Sequence, residues 1–173
     1  MLATTLFSAV IFIIPVALAD GAAIVSALSV IAVDTAALNN TVITWDGGLL
    51  GALPIVTESA TLLKDINKAT DIAKSSANLS LIETVNVAVA TQALIQDVNL
   101  TLTTIIAAKP KFDHLLLSPV TLLNLELEKD ATDKFSAVVA SKVPAELVAA
   151  AQALAGQIDD EFDEAIGVYK HLL

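Results

Sequence analysis

Between Pro144 and His171 the apolar residues recur in the rhythm of a single α-helix face. At 100° per residue, Leu147, Val148, Ala151, Leu154, Ala155, Ile158, Phe162, Ala165, Ile166 and Tyr169 fall on one side. Gln152, Gln157, Asp159, Asp160, Asp163, Glu164 and Lys170 fall on the other. The inner positions step by four, three, four, four, three and four, close to the period of a straight helix, so no tight supercoil is demanded. Pro144 suits the first helical position, and Glu146 puts a negative charge where the helix dipole favours it. An amphipathic helix of about seven turns cannot bury such a stripe alone. It needs a bundle around it.

The rest of the chain supplies the partners. Ile24, Leu28, Ile31, Thr35, Leu38, Val42 and Trp45 alternate spacings of four and three, which predicts a first helix over 22–44 that Asp46-Gly47-Gly48 stops. A second helix ends near Ser75 with Val56, Ala60, Leu63, Ile66, Thr70 and Ala73 inward. Pro54 sits in its first turn or kinks a longer helix begun near Leu49. Ser80-Leu81-Ile82-Glu83 has the spacing of a capping box for a third helix, which Lys109-Pro110 is expected to halt near Ala108. That helix has one broad apolar side (Val87, Leu94, Ile95, Val98, Leu102, Ile105, Ile106) and a second made of Ile82, Val89, Ala93 and Leu100. After a leucine-rich connection over 110–118, Ser118-Pro119 opens a fourth helix with Val120, Leu123, Leu127, Ala131, Phe135 and Val138 inward. Lys142-Val143-Pro144 is short enough to fold helices four and five into an antiparallel hairpin. No stretch shows the two-residue alternation of a strand. The expectation is an all-α, single-domain bundle of five helices.

The N-terminus stands apart. Residues 1–19 carry no charged side chain, run apolar from Leu6 to Val16, and end in Ala17-Leu18-Ala19 before Asp20. This is the pattern of a secretory signal peptide cleaved between Ala19 and Asp20, although it lacks the usual Lys or Arg at its start. The alternative, an uncleaved anchor, has an apolar run short for spanning. The mature domain is then 20–173, with no further membrane-spanning segment expected, in a secreted or cell-wall setting. With no cysteine, its fold rests on helix packing without disulfides. The net charge is −10 and all nine basic residues are lysines, so nucleic acid is a poor partner and bidentate arginine clamps are excluded. Three sequons, at Asn39, Asn78 and Asn99, are candidate glycan acceptors, Asn78 foremost because it lies in a polar connection.

Catalytic patterns are missing. His114 and His171 have no HExxH or ligand-spaced partner, G-x-S-x-G is absent, and the glycines over 47–51 lack the lysine of a phosphate loop. The acidic residues over 159–164 circle a helix face and do not follow a calcium loop. No catalytic residue, metal ligand or cofactor is therefore expected. What stands out is aliphatic surface: apolar residues are 55% of the chain but aromatics only 4%. Such helices pack as a solid core or enclose an apolar channel suited to an acyl chain. A channel would draw its lining from the inner stripes: Ile31, Leu38, Leu63, Leu102, Phe135, Leu154, Ile158 and Phe162. With no arginine, Ser, Thr or Gln would hold a carboxylate head.

Ile105-Ile106-Ala107-Ala108-Lys109-Pro110-Lys111-Phe112 resembles the helix-three ending of the fungal hydrophobic surface-binding protein A family. Asp133-Lys134-Phe135, Pro144-Ala145-Glu146-Leu147-Val148 and Phe162-Asp163-Glu164-Ala165-Ile166 are similar to that family's last two helices, and Gly47-Gly48 fits the end of its first. The family includes cell-wall galactomannoproteins. The resemblance implies a secreted or wall-associated five-helix domain without enzymatic activity that binds hydrophobic surfaces or fatty acids. It also implies a role in recruiting polyester-degrading, cutinase-like hydrolases. A structural wall mannoprotein without a ligand is the alternative. The chain ends at Leu173 with no Ser/Thr-rich stalk or lipid-anchor signal, as in a short, soluble form of the family.

Overall fold

The computed structural model describes residues 19–171, and most of the expected signal peptide (1–18) lies outside them. Five helices follow in order: α1 Ala19–Thr44, α2 Leu49–Ser75, α3 Leu81–His114, α4 Ser118–Ala140 and α5 Val148–Lys170, the last preceded by a 3-10 turn over Ala145–Leu147. Among the described residues there is no strand.

The helices form a closed ring. α1 packs between α2 and α3, α2 against α4, α4 against α5, and α5 against α3, while α3 and α4 barely touch. Cross-helix contacts fix the directions. Gly21 pairs with Glu83, and Thr101 with Thr35, so α1 and α3 run parallel. Tyr169 bonds Ile105, so α5 is parallel to α3. Ser59 meets Glu128 and Lys142 caps α2 at Lys74, so α2 and α4 run together the opposite way. Five helices about 10 Å apart at the corners of a pentagon stand about 8.5 Å from its centre. With a helix radius of about 5–6 Å, a lane about 3 Å in radius remains along the axis. Side chains must fill it or leave it hollow.

The two ends of the ring are finished differently. At one end Ser80 and Glu83 form the expected capping box, and the Glu83 carboxylate also accepts from the Gly21 N–H of α1. Gly21 is required there, since a Cβ would stand 2.6 Å from that of Glu83. The Ser80 hydroxyl, then backbone N–H groups of Ser80 and Gly21, hold Glu83 below the usual carboxylate pKa. Lys142 donates to the carbonyls of Lys74 and Ser76, closing the C-terminus of α2. At the other end Trp45, Phe112 and Tyr169 plug the axis, with Trp45 and Phe112 centroids 4.6 Å apart. The Tyr169 hydroxyl donates to Ile105 O at 2.8 Å, and burial raises its pKa.

Several expectations are corrected. α3 does not stop at Ala108: Pro110 lies on its exposed side, and the helix continues so that Phe112 is buried beside Trp45. Of the two starts expected for α2 the longer one holds, since the helix begins at Leu49 with Pro54 inside it. Pro144 caps the 3-10 turn, not α5 itself. Ser118 is the first residue of α4 and donates to Asp113 instead of capping a backbone N–H. Ile66, Thr70 and Ala73 of α2 and Ala131 and Phe135 of α4 are buried as expected, but the first halves of both helices turn a different face inward. α2 buries Ile55, Ser59 and Leu62, leaving Val56 exposed; α4 buries Leu125 and Glu128, leaving Val120, Leu123 and Leu127 exposed. Finally, α1 is long and apolar enough to cross a membrane by length and composition, contrary to the expectation of no further such segment. Its Ile24, Leu28, Ile31, Leu38 and Val42 are buried within the bundle.

Candidate functional site

The axial lane is hollow. A cavity of about 200 Å³ runs inside the ring, bordered by all five helices. A single water needs about 10–15 Å³ on this scale, so the space matches on the order of fifteen non-hydrogen atoms, the size of a long acyl chain. It reaches solvent between the first turns of α3 and the start of α5, where the lining residues Val85 and Ala150 are exposed. The aromatic plug closes the opposite end.

Seven of the eight residues expected to line a channel border this cavity: Ile31, Leu38, Leu102, Phe135, Leu154, Ile158 and Phe162. Leu63 does not. It sits half-buried at the edge of the core, and Leu62 faces inward in its place, following the rotation of α2. The threonines of the wall turn their protons away from the space: Thr35 donates to Ile31 O, Thr101 to Asp97 O and Thr132 to Glu128 O. Such back-bonds spend the hydroxyl on its own helix and present the methyl group inward.

Glu128 breaks the aliphatic pattern, and the sequence reading missed it. It is 3% exposed, accepts the Ser59 hydroxyl at 2.5 Å, and borders both the main cavity and a smaller one of about 40 Å³ nearer the plug. Burial pushes its pKa up to about 7, with the Ser59 hydrogen bond pulling the other way. No Lys, Asp or other Glu lines either space.

The remaining charged groups lie outside the cavity. Lys129 on α4 is held among Asp133, Asp159 and Asp163 at 3.3, 3.6 and 3.8 Å. Burial works against its charge, but the three carboxylates outweigh that and raise its pKa. Burial, and then the neighbouring Asp133 carboxylate, raise the pKa of Asp159. The acidic face of α5 is thus partly an interhelical ion-pair network. Among the described residues no group of three His, Cys, Asp or Glu is placed to hold a metal.

Of the sequons, Asn78 is exposed in the α2–α3 connection and Asn99 is exposed on α3. Asn39 is buried inside the bundle with its Oδ1 unpartnered, so the expectation of a glycan there is corrected: the folded bundle has no room for one.

A second apolar feature lies on the outside, at the plugged end. The α3–α4 turn and the first turns of α2 and α4 bring Leu50 and Leu116, 81% and 84% exposed, together with Leu49, Leu53, Val56, Val120 and Leu123. Ala52, Ile55 and Val56 share the smaller cavity with Leu117, Val120 and Thr121, so the two groups of leucines are neighbours. Leu116 has a positive φ of 57°, costly for a bulky side chain.

The same architecture occurs in known proteins. The chain is 30% identical to Afmp4p, whose crystal structure is a complex with palmitic acid, at a TM-score of 0.84 over 86% of this chain and 99% of that one. Ligand-binding domain 1 of the Penicillium marneffei MP1 protein, solved with arachidonic acids, shares the fold at a TM-score of 0.83 and 20% identity, over 87% of this chain and 98% of that one. Cell wall mannoprotein 1 of Aspergillus flavus is 29% identical over 136 residues, covering 79% of this chain and 49% of that protein. The chain thus spans about half the length of that relative. Residues 21–141, from the start of α1 to the end of α4, match hydrophobic surface binding protein A, and the chain belongs to that family.

Proposed function

We propose that this chain is a non-catalytic binding protein that takes an acyl chain into the hollow axis of its helix ring. The observation that carries the reading is the cavity itself: about 200 Å³, walled by aliphatic side chains, open at one end and closed by aromatics at the other. At roughly 25 cal/mol per Å² of apolar surface removed from water, such a wall favours a hydrocarbon tail over any polar ligand of equal size. The palmitic acid held by Afmp4p supports the same reading, because its chain is matched over nearly its whole length.

The leucines at the plugged end support adsorption to water-insoluble surfaces, in keeping with the family's description. Cavity and leucine end are distinct sets of residues, so one protein can carry a lipid and rest on a polymer or wax. The setting we propose is extracellular or in the cell wall, reached through a signal peptide over 1–19, with glycans on Asn78 or Asn99. A secreted cutinase-like hydrolase working on the same solid substrate is the proposed partner.

The test is mass spectrometry of an organic extract of the purified protein, with titration of palmitic acid into delipidated chain. About one acyl lipid per chain is expected, and Ala151→Trp, which fills the cavity from α5, should abolish uptake. A wild-type chain that binds no acyl lipid would refute the reading. Leu50→Ser with Leu116→Ser should reduce adsorption to a polyester film while leaving palmitate uptake unchanged. Equal adsorption would remove the leucine end from the proposal. Hydrolysis of that film by a cutinase, with and without the protein, tests the partnership: an unchanged rate excludes it.

A further inference from the structure

The cavity wall contains one group that an ordinary lipid sleeve would not have. Glu128 lies where the main cavity meets the smaller one, with Leu38 and Ile105 also bordering both. Its Oε1 accepts from Ser59, whereas its Oε2 receives no hydrogen bond among the described residues. A buried carboxyl with a free oxygen facing apolar space is costly unless something is meant to meet it.

The surroundings decide what that is. No cation lines either space, so an ionised head group would sit there without a counter-charge. The other charged residues of the neighbouring helices border neither space. On α4, Glu126 pairs with Lys170, and Lys129 with Asp133, Asp159 and Asp163. On α1, burial and then the neighbouring Asp65 carboxylate of α2 raise the pKa of Asp34, which borders neither space. Glu58, beside Ser59 on α2, borders neither space, and α3 and α5 bring only Thr and apolar side chains.

We infer that Glu128, steadied by Ser59, is the head-group anchor of this cavity and binds acyl lipids whose head completes a one-proton hydrogen bond with it, namely a fatty acid or a fatty alcohol. This rests on the acyl-binding reading above. Two carboxyls in one dry site cannot both be ionised, so a fatty acid and Glu128 share a single proton. Below about pH 7 Glu128 already holds that proton and donates it to the ligand carboxylate. Above that pH the complex must draw one proton from solvent, and fatty-acid affinity falls about tenfold per pH unit. A fatty alcohol donates its own O–H to the Glu128 carboxylate and takes up no proton.

The experiment uses palmitic acid and hexadecanol, each below its aggregation limit, displacing a neutral fluorescent acyl probe from delipidated protein between pH 6 and 9. Calorimetry at pH 8.5 in two buffers of different ionisation enthalpy counts protons. For wild type, palmitate should bind about tenfold more weakly at pH 8.5 than at 7.5 and take up about one proton, while hexadecanol changes less than threefold. In Glu128→Gln the amide donates to the carboxylate at every pH, so palmitate affinity should be flat and proton uptake absent. A pH-independent wild type, or a slope that survives in Glu128→Gln, overturns the inference while leaving acyl binding intact. If neither lipid binds at any pH, acyl binding and this inference fall together. Should Glu128→Gln not fold, the wild-type proton count decides: one supports the anchor, none overturns it.

Discussion

The buried glutamate also governs how stability depends on pH, and Glu128→Gln measures the effect. An unfolded glutamate loses its proton near 4.5, whereas Glu128 in the folded bundle keeps it to about 7. Between those values the folded state binds more protons than the unfolded state, so stability falls as pH rises through the window and levels off above it. The gap is about 2.5 units, and at 1.36 kcal/mol per unit it amounts to about 3 kcal/mol. Glutamine cannot titrate but can still accept the Ser59 hydroxyl. The variant should therefore match or fall below wild type at pH 4.5 and exceed it at pH 8. Asp34 and Asp159, also raised, and Glu83 and Asp113, lowered, titrate alike in both proteins and cancel in the difference. Urea unfolding followed through the single tryptophan, Trp45, gives the readout, since that ring is buried beside Phe112 and away from the cavity. With m of about 1–3 kcal/mol/M for a small protein, the relative shift in midpoint between pH 4.5 and 8 is on the order of 1–3 M urea. Curves that stay parallel across this range would show that Glu128 is not desolvated as described.

Gly51→Ala sets a Cβ 2.7 Å from Trp45 Cδ1, so overpacking should cost about 1–3 kcal/mol and alter tryptophan emission; an unchanged denaturation midpoint would contradict the contact. Tyr169→Phe removes the hydrogen bond to Ile105 O and should lower stability by about 1 kcal/mol without changing the cavity wall, measurable as a few degrees in Tm. Ser80→Ala removes the N-cap of α3 at a cost of about 1 kcal/mol. Because Ser80 is the main cause of the lowered Glu83 pKa, the cap's contribution is present above about 4.5 and lost as pH falls below it. Ser80→Ala should therefore lose less stability than wild type on acidification, and an equal loss would refute the link.

The helices that could be read correctly are those whose inner stripe is apolar apart from isolated threonines. All seven stripe positions of α1, from Ile24 to Trp45, are buried as the four-three spacing implies. The broad side of α3 is likewise inward, and its second apolar side (Ile82, Val89, Leu100) is left to solvent. The end of α3 was misread because proline statistics describe a helix by itself. Pro110 lacks one donor, but it lies on the exposed side, and burying Phe112 against Trp45 and Tyr169 requires another turn of helix. Tertiary packing outweighs the local signal here.

The misread faces of α2 and α4 have one common cause, and it is the feature on which the site depends. Each helix has adjacent apolar pairs that allow two phases: Ile55-Val56 and Leu62-Leu63 on α2, and leucines at 122, 123, 125 and 127 on α4. Over these stretches hydropathy chooses the phase with no polar residue, Val56-Ala60-Leu63 on α2 and Val120-Leu123-Leu127 on α4. The structure chooses the other on both helices, because Ser59 and Glu128 face each other across the α2–α4 contact. Taken alone, each is a polar residue at a core position and counts against its own helix face. Taken together, they satisfy one another and fix both rotations, since turning either helix would leave the other's polar group unpaired at a cost of about 1–3 kcal/mol. Leu125, Glu128, Thr132 and Phe135 do keep the spacing of three and four, so the phase was present but masked by a charge. The rotation of α2 brings Leu62 to the cavity wall, and that of α4 turns Leu123 and Leu127 outward and puts one titratable carboxyl beside an otherwise largely aliphatic lane.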